Sequence, residues 1–190
     1  MDNNRIQEMT MLNVNHKPLA ALIFLLSVLI MPPLYAQTCF DAIPASTPTS
    51  DFDVHNDGTV THTPTGLMWK VCSEGQTWES SDGSCSGDAG KYNWQQALQA
   101  PQSAYAGYSD WRLPNAIELT SIIEFKCSSP SINTTIFNNT PVQLFWSSSH
   151  DTSNADNAIL LKFGDGGIGE MWTAQRDFVL HIRLVRNAEP

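Results

Sequence analysis

All four cysteines of this chain, Cys39, Cys72, Cys85 and Cys127, lie beyond a single strongly apolar run. That arrangement restricts the fold more than any other feature. The run extends from Leu19 to Met31, is entered through Lys17, and is followed by Pro32-Pro33 and the small Ala36. It is too short to span a bilayer and reads as the core of a signal peptide, with cleavage expected after Ala36; an uncleaved anchor is the alternative. Residues 1–36 are thus expected to be a leader, and residues 37–190 an exported chain long enough to bury a core. An even number of cysteines in an oxidising compartment predicts two disulfides. Their spacing fits neither a zinc ribbon nor a Cys-x-x-Cys redox pair. The expected pairs are Cys72–Cys85, closing a Gly/Ser-rich loop, and Cys39–Cys127, tying the lead-in to the loop after a second helix.

Residues 37–50 are rich in Ser, Thr and Pro and read as an extended lead-in. Asn56-Asp57-Gly58 and Pro64-Thr65-Gly66 are turn signals on either side of Thr59-Val60-Thr61, with Leu67 to Val71 as the partner strand of a hairpin. Asn93 is the expected cap of a short helix that carries Trp94, Ala97 and Leu98 on one face and stops at Pro101. In "DWRLPNAIELTSII", Pro114 extends Leu113, Asn115 and Glu118 form a capping box, and Leu119, Ile122 and Ile123 form the buried stripe. Trp111 reads as core, and Arg112 as the partner of a carboxylate. Three strands are expected to follow. They are "LFWSSS", the run from Asn157 to Trp172 folded back at Gly164-Asp165-Gly166-Gly167, and "FVLHIRLVR", in which Val179, His181, Arg183 and Val185 alternate with Phe178, Leu180, Ile182 and Leu184. A hairpin, two helices and an antiparallel sheet define an α+β domain.

The formal net charge of −9 argues against nucleic acid and anionic lipid as partners. Asp51, Asp53 and Asp57 are spaced like a calcium loop, but Asn56 and His62 stand where an EF-hand needs Gly and Glu, so a turn explains them better. No His-Glu-x-x-His or Gly-x-Ser-x-Gly motif is present. "FGDGGIG" opens no helix, so it makes no phosphate cradle. Ser147, Ser148 and Ser149 read as hydroxyls that satisfy neighbouring backbone. No catalytic residue, metal or cofactor is expected.

"TGLMWKVCSEGQTW", "YNWQQAL", "GYSDWRLPNAIELTSI", "INTTIFNNTP", "FWSSS" and the terminal "IRLVR" follow one another in an order that resembles the bacterial Lcl C-terminal domain-like family. The resemblance covers residues 51–187. It implies a single C-type lectin-like domain, related to formylglycine-generating enzymes and to bacterial diversified ligand-binding proteins. It also implies an exported or surface protein; some members bind glycosaminoglycans. No Gly-x-y repeat precedes the domain in this sequence, and its acidity argues against polyanions. In such folds the ligand face lies between "FWSSS" and the last strand, here Ser149 to Arg176. The expectation is therefore an exported, non-catalytic binding module for a glycan or surface protein, free to self-associate. A structural subunit of a pilus or envelope assembly, and an enzyme using paired cysteines, are the alternatives. The candidate ligand residues are Asn154, Asp156, Asn157, Asp165, Glu170, Trp172 and Arg176. Their amides and carboxylates suit directional hydrogen bonds, and the Trp offers a flat apolar face.

Overall fold

The computed structural model describes residues 37–101, 104–164 and 170–188; the expected leader lies outside them. Strand β1 (Thr38–Cys39) begins the described chain, and a 3-10 turn at Thr49–Asp51 leads into β2 (Phe52–Val54). The turn signal at residues 56–58 joins β2 to β3 (Thr59–His62). The second, at 64–66, joins β3 to β4 (Leu67–Lys70). Asp57 makes the first turn by accepting, through Oδ1, hydrogen bonds from the Thr59 amide (3.0 Å) and hydroxyl (2.7 Å). Gly58 has φ +83°, and a Cβ there would collide with the Tyr105 hydroxyl and the Trp78 ring, so only glycine fits.

A ribbon of β5 (Thr77–Glu79) and β6 (Ser84–Ser86) follows, then α1 (Trp94–Gln99), α2 (Ala116–Thr120), β7 (Cys127–Ser128), β8 (Leu144–His150), β9 (Asn157–Lys162), β10 (Glu170–Gln175) and β11 (Val185–Asn187). The strands form antiparallel sheets in the orders β11-β4-β3-β2 and β10-β9-β8, plus the two-stranded ribbons β1-β7 and β5-β6. The α+β reading holds in this coarse form. Both expected disulfides are present: Cys72–Cys85 pins β6 to the segment after β4, and Cys39–Cys127 cross-links directly opposed residues of β1 and β7.

Two apolar cores lie on opposite faces of the sheets. Side chains alternate along a strand, so the central strands serve both. On β4, Leu67 and Trp69 join the first core and Met68 the second; on β8 Phe145 joins the first and Trp146 the second; on β9 Leu161 joins the first and Leu160 the second. This explains why all four residues of β4 are buried, Lys70 included. The Lys70 ammonium is 3.2 Å from Glu74 and 4.4 Å from the Tyr105 ring centre, so it has both a counter-charge and a π face.

The second helix has the expected capping box, Asn115 with Glu118, and the first, expected only to be capped by Asn93, has a full box as well, Asn93 with Gln96. Leu119, Ile122 and Ile123 are buried, as is Ala97, but Leu98 is exposed. A helix of only six residues presents too narrow a face to bury it. The final segment also departs from expectation. Only Val185–Asn187 is strand, and it pairs with β4 rather than extending the C-terminal sheet. Residues 181–186 are all buried, so polar and apolar positions do not separate onto two faces. The segment threads between elements and bonds each in turn: Leu180 with Tyr92, His181 with Leu144 and Trp146, Ile182 with Glu74, and Leu184 with Lys70.

The stretch from Asp110 to Asn115 is an architectural joint. Trp111 is buried and donates through Nε1 to the Tyr105 carbonyl (3.0 Å). Arg112 grips Glu118 through two hydrogen bonds of 2.7 Å, and Asp110 pairs with Arg186 at 2.7 Å. Ser147 Oγ donates to the Ile159 carbonyl, and Ser149 Oγ accepts from the Ala116 amide, so both hydroxyls serve backbone.

Candidate functional site

β10 is an outer strand of its sheet. On it, Trp172 stands directly opposite Leu160 of β9, which stands opposite Trp146 of β8. Trp146 and Leu160 are buried, whereas Trp172 is 55% exposed. One row of cross-strand neighbours thus runs from the second core out to solvent. The turn after β10, closed by a bond from the Phe178 amide to the Gln175 carbonyl (3.1 Å), returns Phe178 to the same place. Trp172, Phe178, Val142, Leu144, Leu160 and Ala174 wall a groove of about 470 Å³; Gln143, Lys162 and Thr173 are its polar members. Met171, which alternates to the other face of β10, and Val179 do not line the groove but are 60% and 56% exposed. Residues 171–179 thus expose four large apolar side chains, of which Trp172 and Phe178 share the groove.

The other candidates gather at the opposite end of β10. Gln175 opposes Asn157, three residues along from the Trp172–Leu160 pair, or roughly 10 Å at about 3.3 Å per residue. Here the loop between β8 and β9 folds on its own polar groups. Asp151 Oδ1 accepts from the Ser153 amide (2.8 Å) and hydroxyl (2.6 Å), and Asn154 Oδ1 accepts from the Asp156 amide (3.0 Å). The hydrogen bonds from Ser153 hold the exposed Asp151 carboxyl below the ordinary carboxylate range. Arg176 joins this end to the strand: its amide donates to the Asp156 carbonyl (3.1 Å), its Nε to the Asn157 carbonyl (3.3 Å), and its guanidinium lies 4.3 Å from the Trp94 ring centre. Asn154, Asp156, Asn157 and Arg176 therefore sit together, and Trp172 sits apart from them. Asp165 lies outside the described residues, and Glu170 is placed as the residue opposite Lys162.

Phe178 and Leu144 were not among the expected site residues. An apolar run such as Phe178-Val179-Leu180 reads as strand, and only the tertiary turn at residues 175–178 reveals its exposure. Among the described residues no group of three or more His, Cys, Asp or Glu is gathered where it could hold a metal ion. Nor is any helix among them long and apolar enough to cross a membrane.

A disulfide-pinned α+β domain with an aromatic groove at a sheet edge is the class that this geometry defines. Residues 58–186 match the profile of the Lcl C-terminal domain, and the chain belongs to that family. No curated protein matches the chain at a significant level.

Proposed function

We propose that this chain is an exported, non-catalytic binding module that docks a surface protein on the groove at Trp172 and Phe178. The observation that carries the proposal is the exposed apolar stretch on β10 and the turn after it. A groove with six apolar walls and three polar members suits an apolar anchor from a protein better than a hydroxyl-rich sugar, whose every hydroxyl needs a partner. Export is supported by two disulfides, and the non-catalytic reading by the pairing of all four cysteines in them. The C-type lectin-like assignment belongs to the same proposal. It rests on the resemblance and on a last strand that returns to the N-terminal hairpin.

The test is capture from an envelope extract alongside a glycan array, with the parent chain and its Trp172→Ala and Phe178→Ala variants. A specific protein partner is expected, with each variant weakened by about 2 kcal/mol or more and its melting temperature held. Ile117→Ala, on the lone exposed apolar side chain of α2, should bind like the parent. A glycan ligand insensitive to Trp172 and Phe178 would overturn the proposal.

A further inference from the structure

A second cleft, two residues before Phe178 of the groove in the chain, holds the Arg176 guanidinium. Arg176 and Asp177, which precede Phe178 in the chain, line a separate cleft of about 390 Å³ with Asn93, Trp94, Gln95 and Leu98. That volume lies in the range of small-ligand sites, about 300–1,000 Å³. Arg176 is held from four directions. Its amide bonds Asp156, its carbonyl accepts from the Trp94 amide (2.9 Å), its Nε bonds Asn157, and its guanidinium stacks on the Trp94 ring. The ring is itself fixed, because Trp94 Nε1 donates to the Ser147 carbonyl at 2.8 Å. Yet Nη1 and Nη2 of Arg176 make no hydrogen bond or ion pair to any described residue, and Asp177, on the same cleft, does not pair with them. A planar fork with its stem tied down and its outer donors unused by the described residues has lost much of its rotamer freedom before binding. A carboxylate can take both donors at little further entropic cost.

We infer that the Arg176–Trp94 cleft binds the carboxylate of an acidic side chain on the protein partner whose apolar anchor fills the Trp172–Phe178 groove. The inference rests on the docking proposal for its partner, while the cleft is a second contact point. Two observations favour a protein source. The cleft adjoins the groove through consecutive residues Arg176-Asp177-Phe178, so one partner can present an apolar group and a carboxylate together. The polar lining is also sparse for a sugar: Asn93 Oδ1 is taken by the Gln96 amide, leaving Asn93 Nδ2, Gln95 and Asp177 beside the guanidinium.

The experiment titrates the ¹⁵N-labelled, disulfide-bonded chain at low salt, reading the Trp94 Nε1–Hε1 resonance. The probes are N-acetylglutamate N-methylamide, its glutamine analogue, and glucuronate. The glutamate probe should give a saturable shift, with a Kd on the order of 1 mM. The glutamine analogue should bind at least tenfold more weakly, and glucuronate no better than the glutamate probe. Arg176→Met should abolish the response. Arg176→Lys, which keeps the charge and loses the fork, should weaken it by about tenfold. Trp172→Ala should leave the titration unchanged even where it ends partner capture, which separates this site from the groove. A flat titration, an equal response to the glutamine analogue, or an intact response in Arg176→Met would overturn the inference. Tighter binding of glucuronate would overturn its protein source.

Discussion

Arg183 is a buried cation tied to several parts of the fold. It is fully buried, and its guanidinium donates to the carbonyls of Lys70 (3.0 Å) and Val71 and to the hydroxyls of Ser73 (3.3 Å) and Thr140 (2.7 Å), over the Phe137 ring. Among the described residues no carboxylate pairs with it, and burial pulls its pKa down to about 9. The guanidinium still carries its charge at neutral pH, and neutral oxygens hold it. The sequence shows none of this. His181 and Arg183 look like the polar half of an alternating strand, whereas their partners, the Gly90 carbonyl and Lys70–Ser73, lie far off in the chain. Trp111 and Asn115, by contrast, were legible because a large aromatic ring and a capping box declare themselves locally. Trp111→Ala should cost about 3–5 kcal/mol by emptying core volume, and Asn115→Ala about 1 kcal/mol by removing a cap. Denaturant unfolding checks both, and neither change should touch partner binding. Burial also lowers the pKa of His62, against the pull of Asp51, and that of His181, against its bond to Gly90. The unfolded chain therefore binds more protons than the fold just below the ordinary histidine value, near pH 6.5. Stability should be full above that pH and decline as pH falls through the lowered values, and a His62→Gln/His181→Gln chain should show a flatter decline in melting temperature. An equal slope in parent and variant would rule this linkage out.

At the scale of elements, the helices and the N-terminal hairpin could be read from caps and turns, while the long-range ties could not. Glu124 was invisible in the sequence, yet it is buried and clasps the lead-in. Its carboxylate accepts from the Ser46 and Thr47 amides (both 3.0 Å), their hydroxyls, and the Lys126 amide (2.9 Å). Burial alone would raise its pKa, but the hydrogen bonds from Ser46, Lys126 and Thr47 win and hold it low. Glu124→Gln keeps the shape and removes the charge and an acceptor. It should cost about 1–3 kcal/mol, with faster amide exchange at Ser46 and Thr47 as the local signature. The Cys39–Cys127 bridge restrains the same lead-in from the other side. A Cys39→Ala/Cys127→Ala pair should therefore cost about 2–4 kcal/mol and loosen β1 against β7 first. Loss of β10 protection before β1 would contradict that order. The position of β11 was the larger surprise. A terminal run of apolar residues suggests that it joins the preceding strands, but β4 has an open edge and both its faces buried, so the chain end pairs there.

At the scale of the molecule, two cores share strands, and β10, an outer strand of the three-stranded sheet, carries Trp172. The sequence pointed to Trp172 through its place after a Gly-rich turn, and to Arg176 through its company of Asn and Asp. It could not show that Trp172 lies within β10 while Arg176 lies just past its end, nor that Phe178 turns back beside the Trp. Those facts depend on register and on a turn closed by backbone alone. Where a partner sits is therefore the decisive question. Hydrogen–deuterium exchange on the chain, free and saturated with the captured partner, tests this most directly. Protection is predicted at residues 170–179 and 142–144, with α2 and β2 unchanged. Protection confined to α2 or β2, with β10 exchanging as in the free chain, would contradict the account.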